Sequence, residues 1–421
     1  MNKIDIVLGL QWGDEGKGKV VDVLTPNYPI VARFQGGPNA GHSLVFDGEH
    51  FVLHTVPSGI FREGTRNVIG NGVVIDPVIL LEEIRQIEAR GIDVSDRLLI
   101  SKRAHLILPT HRLLDAASEQ AMGASKIGST LKGIGPAYAD KTGRNGLRVG
   151  DLLRPDFEAC YEALRDRHLN LLAGYTDFRF DLEAHEQEWM EAARKLRSYR
   201  LIDSELFINN ALDAGTPILA EGAQGSLLDI DFGSYPYVTS SNTLAAGACT
   251  GLGVAPNRVG SVYGIFKAYC TRVGSGPFPT ELFDEDGEHL RQTGHEFGAT
   301  TGRPRRCGWL DLPALKYSIM MNGVTDLIMM KSDVLDDFET IKVAVAYKVG
   351  DQTCEWGSYG AENVTPVYKE FKGWKTPLSG IREYDALPAA FREYVQFIEN
   401  ETACRIRILS VGPEREAVIL R

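Results

Sequence analysis

The sequence predicts an α/β protein: a large, mainly parallel central sheet flanked by helices, in a P-loop-like nucleotide-binding architecture with helical insertions. Three observations carry this reading: a buried strand that runs into a glycine-rich loop, strand signals that keep alternating with helical ones, and turn residues between them. Residues 3–10 alternate around Ile4, Ile6, Leu8 and Leu10, with Val7 on the other face, which is a strand pattern. Ile30 to Phe34 reads as a second strand. Asp76-Pro77 then opens a run with Val78, Leu81, Ile84 and Ile87 on one face, closed by Gly91, so cap, proline and glycine agree on a helix. From Pro155 to about Arg200 helix formers and charges dominate, and residues 76–200 are expected to be a mainly helical inserted subregion. Later strands are expected at Pro217 to Ala220, at Asp326 to Met330 after the helical pattern LPALKYSIMMNG, and at Arg405 to Val411 after a helix around Ala389 to Asn400. The acidic run Asp284-Glu285-Asp286 reads as a solvated turn. With no internal repeat or long linker, residues 1–421 are expected to form a single domain.

The chain has 421 residues, of which 45 are Lys or Arg and 56 are Asp or Glu, for a formal net charge of -11. With 43% hydrophobic and 24% charged residues the composition is that of a globular protein, which excludes collagenous, coiled-coil and disordered classes. The acidic balance argues against broad nucleic-acid binding, so an anionic ligand must be met by local basic clusters. The six cysteines (Cys160, Cys249, Cys270, Cys307, Cys354 and Cys404) show neither C-x-x-C nor zinc spacing and read as buried thiols of a reducing compartment. The N-terminal apolar run is broken by Asp5 and followed by glycine and acids, a strand rather than a signal peptide. No window approaches the roughly 18 apolar residues of a membrane helix, and a cytoplasmic location is expected.

After the first strand, Gly13-Asp14-Glu15-Gly16-Lys17-Gly18-Lys19-Val20 fits the phosphate-loop pattern G-x-x-x-x-G-K-[ST] except at Val20. Glycines let backbone N–H groups point at phosphate oxygens, the helix N-terminus adds positive charge, and Lys19 has the reach for the outer phosphates. A side chain at Gly18 is expected to fill space that a phosphate needs. Asp14 is out of place beside phosphate: a carboxylate about 4 Å from such a charge costs on the order of 4 kcal/mol at an effective dielectric near 20. It would ligate Mg²⁺ in place of the missing hydroxyl, take a proton from a substrate that receives a phosphoryl group, or merely cap the helix. Gly36-Gly37-Pro38-Asn39-Ala40-Gly41-His42-Ser43 makes a second glycine-rich turn, and at the carboxyl edge of one parallel sheet His42 and Asp14 would face the same phosphate.

Lys331-Ser332-Asp333 has the K-x-D spacing of guanine-reading loops, in which a carboxylate accepts from N1–H and the 2-amino group, donors that adenine lacks. Ser410-Val411-Gly412-Pro413 follows a strand and is placed to pack on base or ribose. The densest basic cluster is Gly298-Ala299-Thr300-Thr301-Gly302-Arg303-Pro304-Arg305-Arg306, whose guanidinium forks suit carboxylate or phosphate and would repel one another without an anion nearby. Glu221-Gly222-Ala223-Gln224-Gly225 sets an amide among glycines, where it would read a polar ring.

Together QWGDEGKGK, GGPNAGH, KGIGPAY, EGAQGSLLDIDFGSYPYVTSSN, GATTGRPRR, the Lys331 to Asp333 loop and SVGPER resemble the adenylosuccinate synthetase family, from about Ile6 to Glu414. The resemblance implies GTP-dependent joining of L-aspartate to inosine monophosphate (IMP) through a 6-phosphoryl-IMP intermediate, releasing GDP and phosphate. It implies Asp14 as the base at IMP N1 and His42 as general acid. By the same resemblance GTP is held by Gly13, Asp14, Glu15, Gly16, Lys17, Gly18, Lys19, Gly41, His42, Ser43, Arg305, Lys331, Ser332, Asp333, Ser410, Val411 and Gly412. Mg²⁺ would sit on Asp14 and the Gly41 carbonyl. IMP would be held by Asp14, Glu15, Gly16, Lys17, Asn39, Ala40, Gly41, His42, Thr130, Gln224, Thr239 and Arg303, with Arg144 from the other subunit of a homodimer. Ala299, Thr300, Thr301, Gly302, Arg303, Pro304 and Arg305 would close over aspartate. Two departures stand out: Ser129-Thr130-Leu131-Lys132, where the family more often has Thr-Thr-Gly-Arg, and Pro304 in place of a common basic residue.

A GTP-driven switch acting through a protein partner is the alternative that the phosphate loop and K-x-D leave open. A dinucleotide loop is disfavoured by the glycine spacing Gly13-x-x-Gly16-x-Gly18.

Overall fold

A computed structural model describes residues 2–46, 48–298, 302–354 and 364–421. The N-terminal half runs β1 (Ile4–Gly9), α1 (Lys17–Leu24), β2 (Ile30–Arg33), β3 (His42–Phe46), β4 (Glu49–Leu53), β5 (Arg66–Ile69), β6 (Val74–Ile75), α2 (Pro77–Glu88), β7 (Leu98–Ser101), β8 (His105–Leu106), α3 (Pro109–Met122), α4 (Ile134–Gly143), α5 (Phe157–Leu172), α6 (Glu183–Leu196) and β9 (Arg200–Ile202). It continues α7 (Ser204–Asp213), β10 (Ile218–Gly225), α8 (Ala246–Leu252), β11 (Val259–Lys267), β12 (Cys270–Arg272), α9 (Glu285–Thr293), β13 (Arg306–Gly308), β14 (Leu310–Asp311), α10 (Leu312–Asn322) and β15 (Asp326–Met330). The last elements are β16 (Thr340–Val349), β17 (Gln352–Cys354), β18 (Thr365–Lys372), α11 (Ala389–Thr402), β19 (Ile406–Ser410) and β20 (Val418–Leu420).

Ten strands form one sheet in the order β20-β19-β15-β11-β1-β10-β2-β5-β7-β9. Every pairing in it is parallel except β19 with β20. The strand alternation read in residues 3–10 is realised: Ile4, Ile6 and Leu8 pack into the core on one face of β1 and Val7 into a separate cluster with Val20 and Val21 on the other. Burial on both faces is what a central parallel strand requires. α2 starts where Asp76 predicts, with its carboxylate accepting from the amides of Val78 and Ile79. Residues 76–200 contain α2 to α6, packed around Trp189, Tyr161 and Ile84 in a core that they share with residues of β3 to β6, and also supply β7 to the central sheet.

Several local expectations change. The strand expected to stop at Ala220 runs on to Gly225, because Glu221 pairs with Val7 and Gly225 with Gly9. Asp284 to Asp286 open α9, with Asp284 accepting from the Gly287 amide, so the acids face the positive end of a helix instead of forming a turn. Cys270, Cys307 and Cys404 are buried as expected, whereas Cys160, Cys249 and Cys354 are only half-buried; all six are free thiols. Among the described residues no helix is long and apolar enough to cross a membrane.

Asp22 on α1 ties two distant segments of the chain together. It is buried and takes Arg62 Nε at 2.9 Å and Arg62 Nη2 at 3.1 Å, while Arg415, beside β20, grips the same carboxylate through Nε and Nη2. Asp22→Ala strands two arginines at once; with both cations partly solvated we expect a loss of about 2–4 kcal/mol in urea unfolding, while Arg62→Ala costs less.

Candidate active site

Because β1, β2, β10, β15 and β19 run parallel, the loops after them open at one edge of the sheet. A cavity of about 700 Å³ lies there, bordered by Gly13, Asp14, Gly16 and Lys17 from the first loop, Asn39 to His42 from the second, and by Thr130, Gln224, Thr239 and Gly298. Residues read from five separate stretches of sequence thus meet around one space.

The backbone is held in the left-handed region at Asp14 (φ 59°), Gln224 (φ 57°) and Lys331 (φ 57°), and also at Leu131 and Arg144. Glycine adopts such angles without cost; an Asp, Gln or Lys there is a strained choice of the kind that collects at functional sites. Leu131 at φ 57° accounts for the glycine that the family more often has at this place: the loop demands that conformation, and Leu131 adopts it with its side chain in solvent.

Buried polar atoms without a hydrogen-bond partner are open to a ligand where they border a cavity. Among the described residues they include Asn39 Oδ1, His42 Nε2 and Gln224 Nε2 around the cavity, and Ser332 Oγ and Asp333 Oδ1 in the loop after β15. Such atoms cost about 1–3 kcal/mol each unless something arrives to pair them. Burial pushes the Asp333 carboxyl upward, against the opposing charges of Lys331 and Lys19.

His42 heads β3. Its Nδ1 lies 2.5 Å from Glu221 Oε1, and the ring is 4% exposed. Burial lowers its pKa to about 4; Arg33 lowers it further and Glu221 opposes. Asp14 Oδ2 receives Arg305 Nε at 2.8 Å, and Arg305 Nη1 donates to Glu296 Oε2 at 2.7 Å. Glu296 also takes Lys267 Nζ at 2.9 Å, Lys331 Nζ at 2.9 Å and the Tyr269 hydroxyl at 2.5 Å, and the cations Lys267, Lys331 and Arg305 hold it well below the usual carboxylate range despite burial.

Other expected residues are placed differently. Glu15 is fully buried and turned into its own loop: it accepts from the amides of Gln11 and Gly13 and from Lys17 Nζ at 2.5 Å, and a side chain at Gly9 or Gly225 would collide with it. Its carboxylate shapes the loop, leaving only its backbone for a phosphate. Lys19 Nζ is directed at the strand-end loop, donating to Ser410 Oγ at 2.9 Å, Gly412 O at 2.8 Å and Ala417 O at 3.1 Å, and burial lowers its pKa to about 8. It joins the phosphate loop to Ser410, Val411 and Gly412 instead of reaching into the cavity. Of the arginine cluster, Arg306 is satisfied within the chain by Glu281, so mutual repulsion is relieved without a ligand. Gly302 N bonds Gly298 O and Arg305 N bonds Glu296 O, closing the turn that carries Arg303, Pro304 and Arg305. Ala299, Thr300 and Thr301 lie outside the described residues. Thr130 rests on two acids of α3: Glu119 accepts from the amides of Ile127, Gly128 and Ser129, and Asp115 from Ser129 Oγ and the Gly133 amide. Arg144, the C-cap of α4, is exposed at the surface, and Ser43 follows His42 in β3.

Glu221, Glu296, Asp115 and Glu119 were not singled out by the sequence reading as site-building residues. Glu221 alone left a trace there, as the acid that follows the apolar run Ile218-Leu219-Ala220 and opens the stretch read for Gln224.

The family model described as adenylosuccinate synthetase matches residues 6–419. The adenylosuccinate synthetase of Flavobacterium johnsoniae is 60% identical over 421 residues, which cover 99% of this chain and all of that protein. That of Parabacteroides distasonis is 60% identical over 420 residues, covering all of this chain and 99% of the relative. The structure of fully ligated adenylosuccinate synthetase from Plasmodium falciparum superposes with a TM-score of 0.94 at 39% identity, with both chains covered completely.

One expectation about the first loop acquires a different cause. A Cβ at Gly18 would stand 3.0 Å from Ser43 O and 3.1 Å from His42 C and Cβ, so α1 and the His42 segment approach through this glycine. Gly18→Val should therefore displace His42, lowering stability by about 1–3 kcal/mol and GTP affinity by at least about tenfold in calorimetry, with far-UV circular dichroism unchanged.

Proposed function

The chain belongs to the adenylosuccinate synthetase family and has its activity, a GTP-binding ligase of AMP biosynthesis, and from that premise we propose how its residues divide the work. The chain joins L-aspartate to IMP in two steps driven by GTP. The observation that supports this most is the collection of unpartnered buried atoms, Asn39 Oδ1, His42 Nε2 and Gln224 Nε2, around the cavity that Asp14 borders.

In the first step Asp14 takes the N1 proton of IMP, O6 attacks the γ-phosphorus, and the bond to the β,γ-bridging oxygen breaks to release GDP. His42 Nε2 faces the transferring group. An anionic phosphoryl group beside it works against the burial that keeps the ring neutral, so that Nε2 gains a proton to donate. In the second step the neutral aspartate amino nitrogen attacks C6, the C6–O bond breaks, and the departing phosphate takes the proton that the nitrogen sheds. Arg303 and Arg305 receive the two carboxylates of aspartate as guanidinium forks do. Lys17, Thr130, Thr239, Asn39 and Gln224 hold IMP, and Asp333 reads the guanine of GTP. Arg144 completes the IMP site of the opposite subunit in a homodimer, and the enzyme works in the cytoplasm.

Asp14 and Gly41 border the same cavity with carboxylate and carbonyl oxygens, the hard donors that Mg²⁺ prefers, so these two residues would hold it. When bound, it neutralises phosphate charge on the nucleotide.

GDP release by purified protein should require GTP, Mg²⁺, IMP and L-aspartate together; release without IMP would sink this reading in favour of a GTP switch. Asp14→Asn should fold and lose at least roughly 10²- to 10⁴-fold in turnover, the range of general-base catalysis. Asp333→Asn exchanges a charged acceptor for a neutral amide, so KM for GTP should rise by about ten- to a hundredfold while saturated turnover holds, with discrimination against ATP reduced.

A further inference from the structure

Glu221 sits on β10 between β1 and β2, fully enclosed in the middle of the sheet. A carboxylate there costs several kcal/mol in desolvation unless its oxygens are met. All the donors that meet it come from the segment following β2. Oε1 lies 2.5 Å from His42 Nδ1 and accepts Ser58 Oγ at 2.6 Å; Oε2 accepts the Ser58 amide at 2.8 Å. Ser58 opens the short 3-10 turn Ser58–Phe61; its hydroxyl shares Oε1 with the imidazole, 3.5 Å from Nδ1, and its amide braces Oε2.

Two consequences follow from donor and acceptor chemistry alone. An ionised carboxylate only accepts, so Nδ1 must carry the proton of that contact, which fixes the tautomer of a neutral ring. The ring plane is fixed as well, and Nε2, on the far side, is buried without a partner and borders the cavity. We propose that Glu221 is the positioning residue of His42, holding the imidazole with Nδ1–H inward and Nε2 aimed at the group being transferred. This rests on the reading that His42 acts on that group. The carboxylate touches no substrate itself; it sets the orientation and proton placement of the ring that does, as the aspartate does for histidine in serine hydrolases.

Glu221→Gln is nearly isosteric, yet its NH₂ must either oppose the Ser58 amide, which is also a donor, or face Nδ1 and force that nitrogen to accept, moving the ring proton to Nε2. With stability checked by thermal unfolding, kcat should fall by at least about 10²-fold, as for a lost acid–base group, while KM for GTP and IMP moves by less than about threefold. Loss by Glu221→Gln and by His42→Asn should not add: the double variant should be no slower than His42→Asn alone. Independent, multiplying losses would overturn the proposal. In ¹⁵N-histidine spectra, with the His42 signal assigned by its absence in His42→Asn, wild type should show the Nδ1–H form and Glu221→Gln a shifted or mixed pattern; an unchanged His42 signal would also overturn it. Should Glu221→Gln not fold, Ser58→Ala removes the brace while keeping the charge, and should lower kcat several-fold, again without adding to His42→Asn. If His42→Asn turns over normally, the reading of His42 fails, and the ¹⁵N spectra still decide whether Glu221 sets the ring.

Discussion

The site depends first on Glu296. This carboxylate has no contact with solvent, and Lys267, Lys331 and Arg305 converge on it together with the Tyr269 hydroxyl. Each cation comes from a different part of the chain: Lys267 ends β11, Lys331 follows β15, and Arg305 lies just before β13. None of the three could be enclosed beside the others without the shared counter-charge, and the charge itself would be intolerable without them. The loop after β15 and the arginine loop therefore share one anchor, and Arg305 carries it onward to Asp14. A shift of either loop is felt by the other, because a buried ionic cluster has few alternative arrangements.

Around that anchor the parallel sheet supplies direction. Strand ends at Gly9, Gly225 and Met330 are followed or accompanied by residues whose backbone is left-handed: Asp14, Gln224 and Lys331. Glycine would relieve strain of about 1–2 kcal/mol at each, yet each of these places holds a polar or charged side chain. The strain lies at the ends of β15, β1 and β10, within four consecutive strand positions of the sheet, and the surrounding sheet over-determines the geometry.

Much of this was legible in the sequence where the signal is local. β1, the capped start of α2, β15 and α11 follow from alternation, capping and glycine stops within windows of a few residues. Asp14 stood out because a carboxylate among phosphate-binding glycines contradicts electrostatics. β5, β7 and β9 went unread, being only three or four residues long and set among helices, too short for periodicity to register. The continuation of β10 through Glu221 was hidden by glycines that resemble a turn, although pairing with β1 keeps them extended. The roles of Glu221, Glu296, Asp115 and Glu119 rest on partners tens to hundreds of positions away or on loop amides, which spacing cannot express. The inward turn of Glu15 and the redirection of Lys19 belong to the same class: the residue type was visible, its bearing was not.

Lys19 shows how far such dependence reaches along the chain. Its three acceptors, Ser410, Gly412 and Ala417, are separated from it by 391 to 398 positions. On the ribosome the phosphate loop emerges early, yet the groups that satisfy its buried lysine appear only after nearly four hundred further residues. Through most of synthesis the loop has glycines, an ammonium and no closing wall. A nascent chain of this protein thus exposes β1 and its loop for the time of hundreds of peptide bonds, and shielding by other factors or by provisional contacts has to cover that interval.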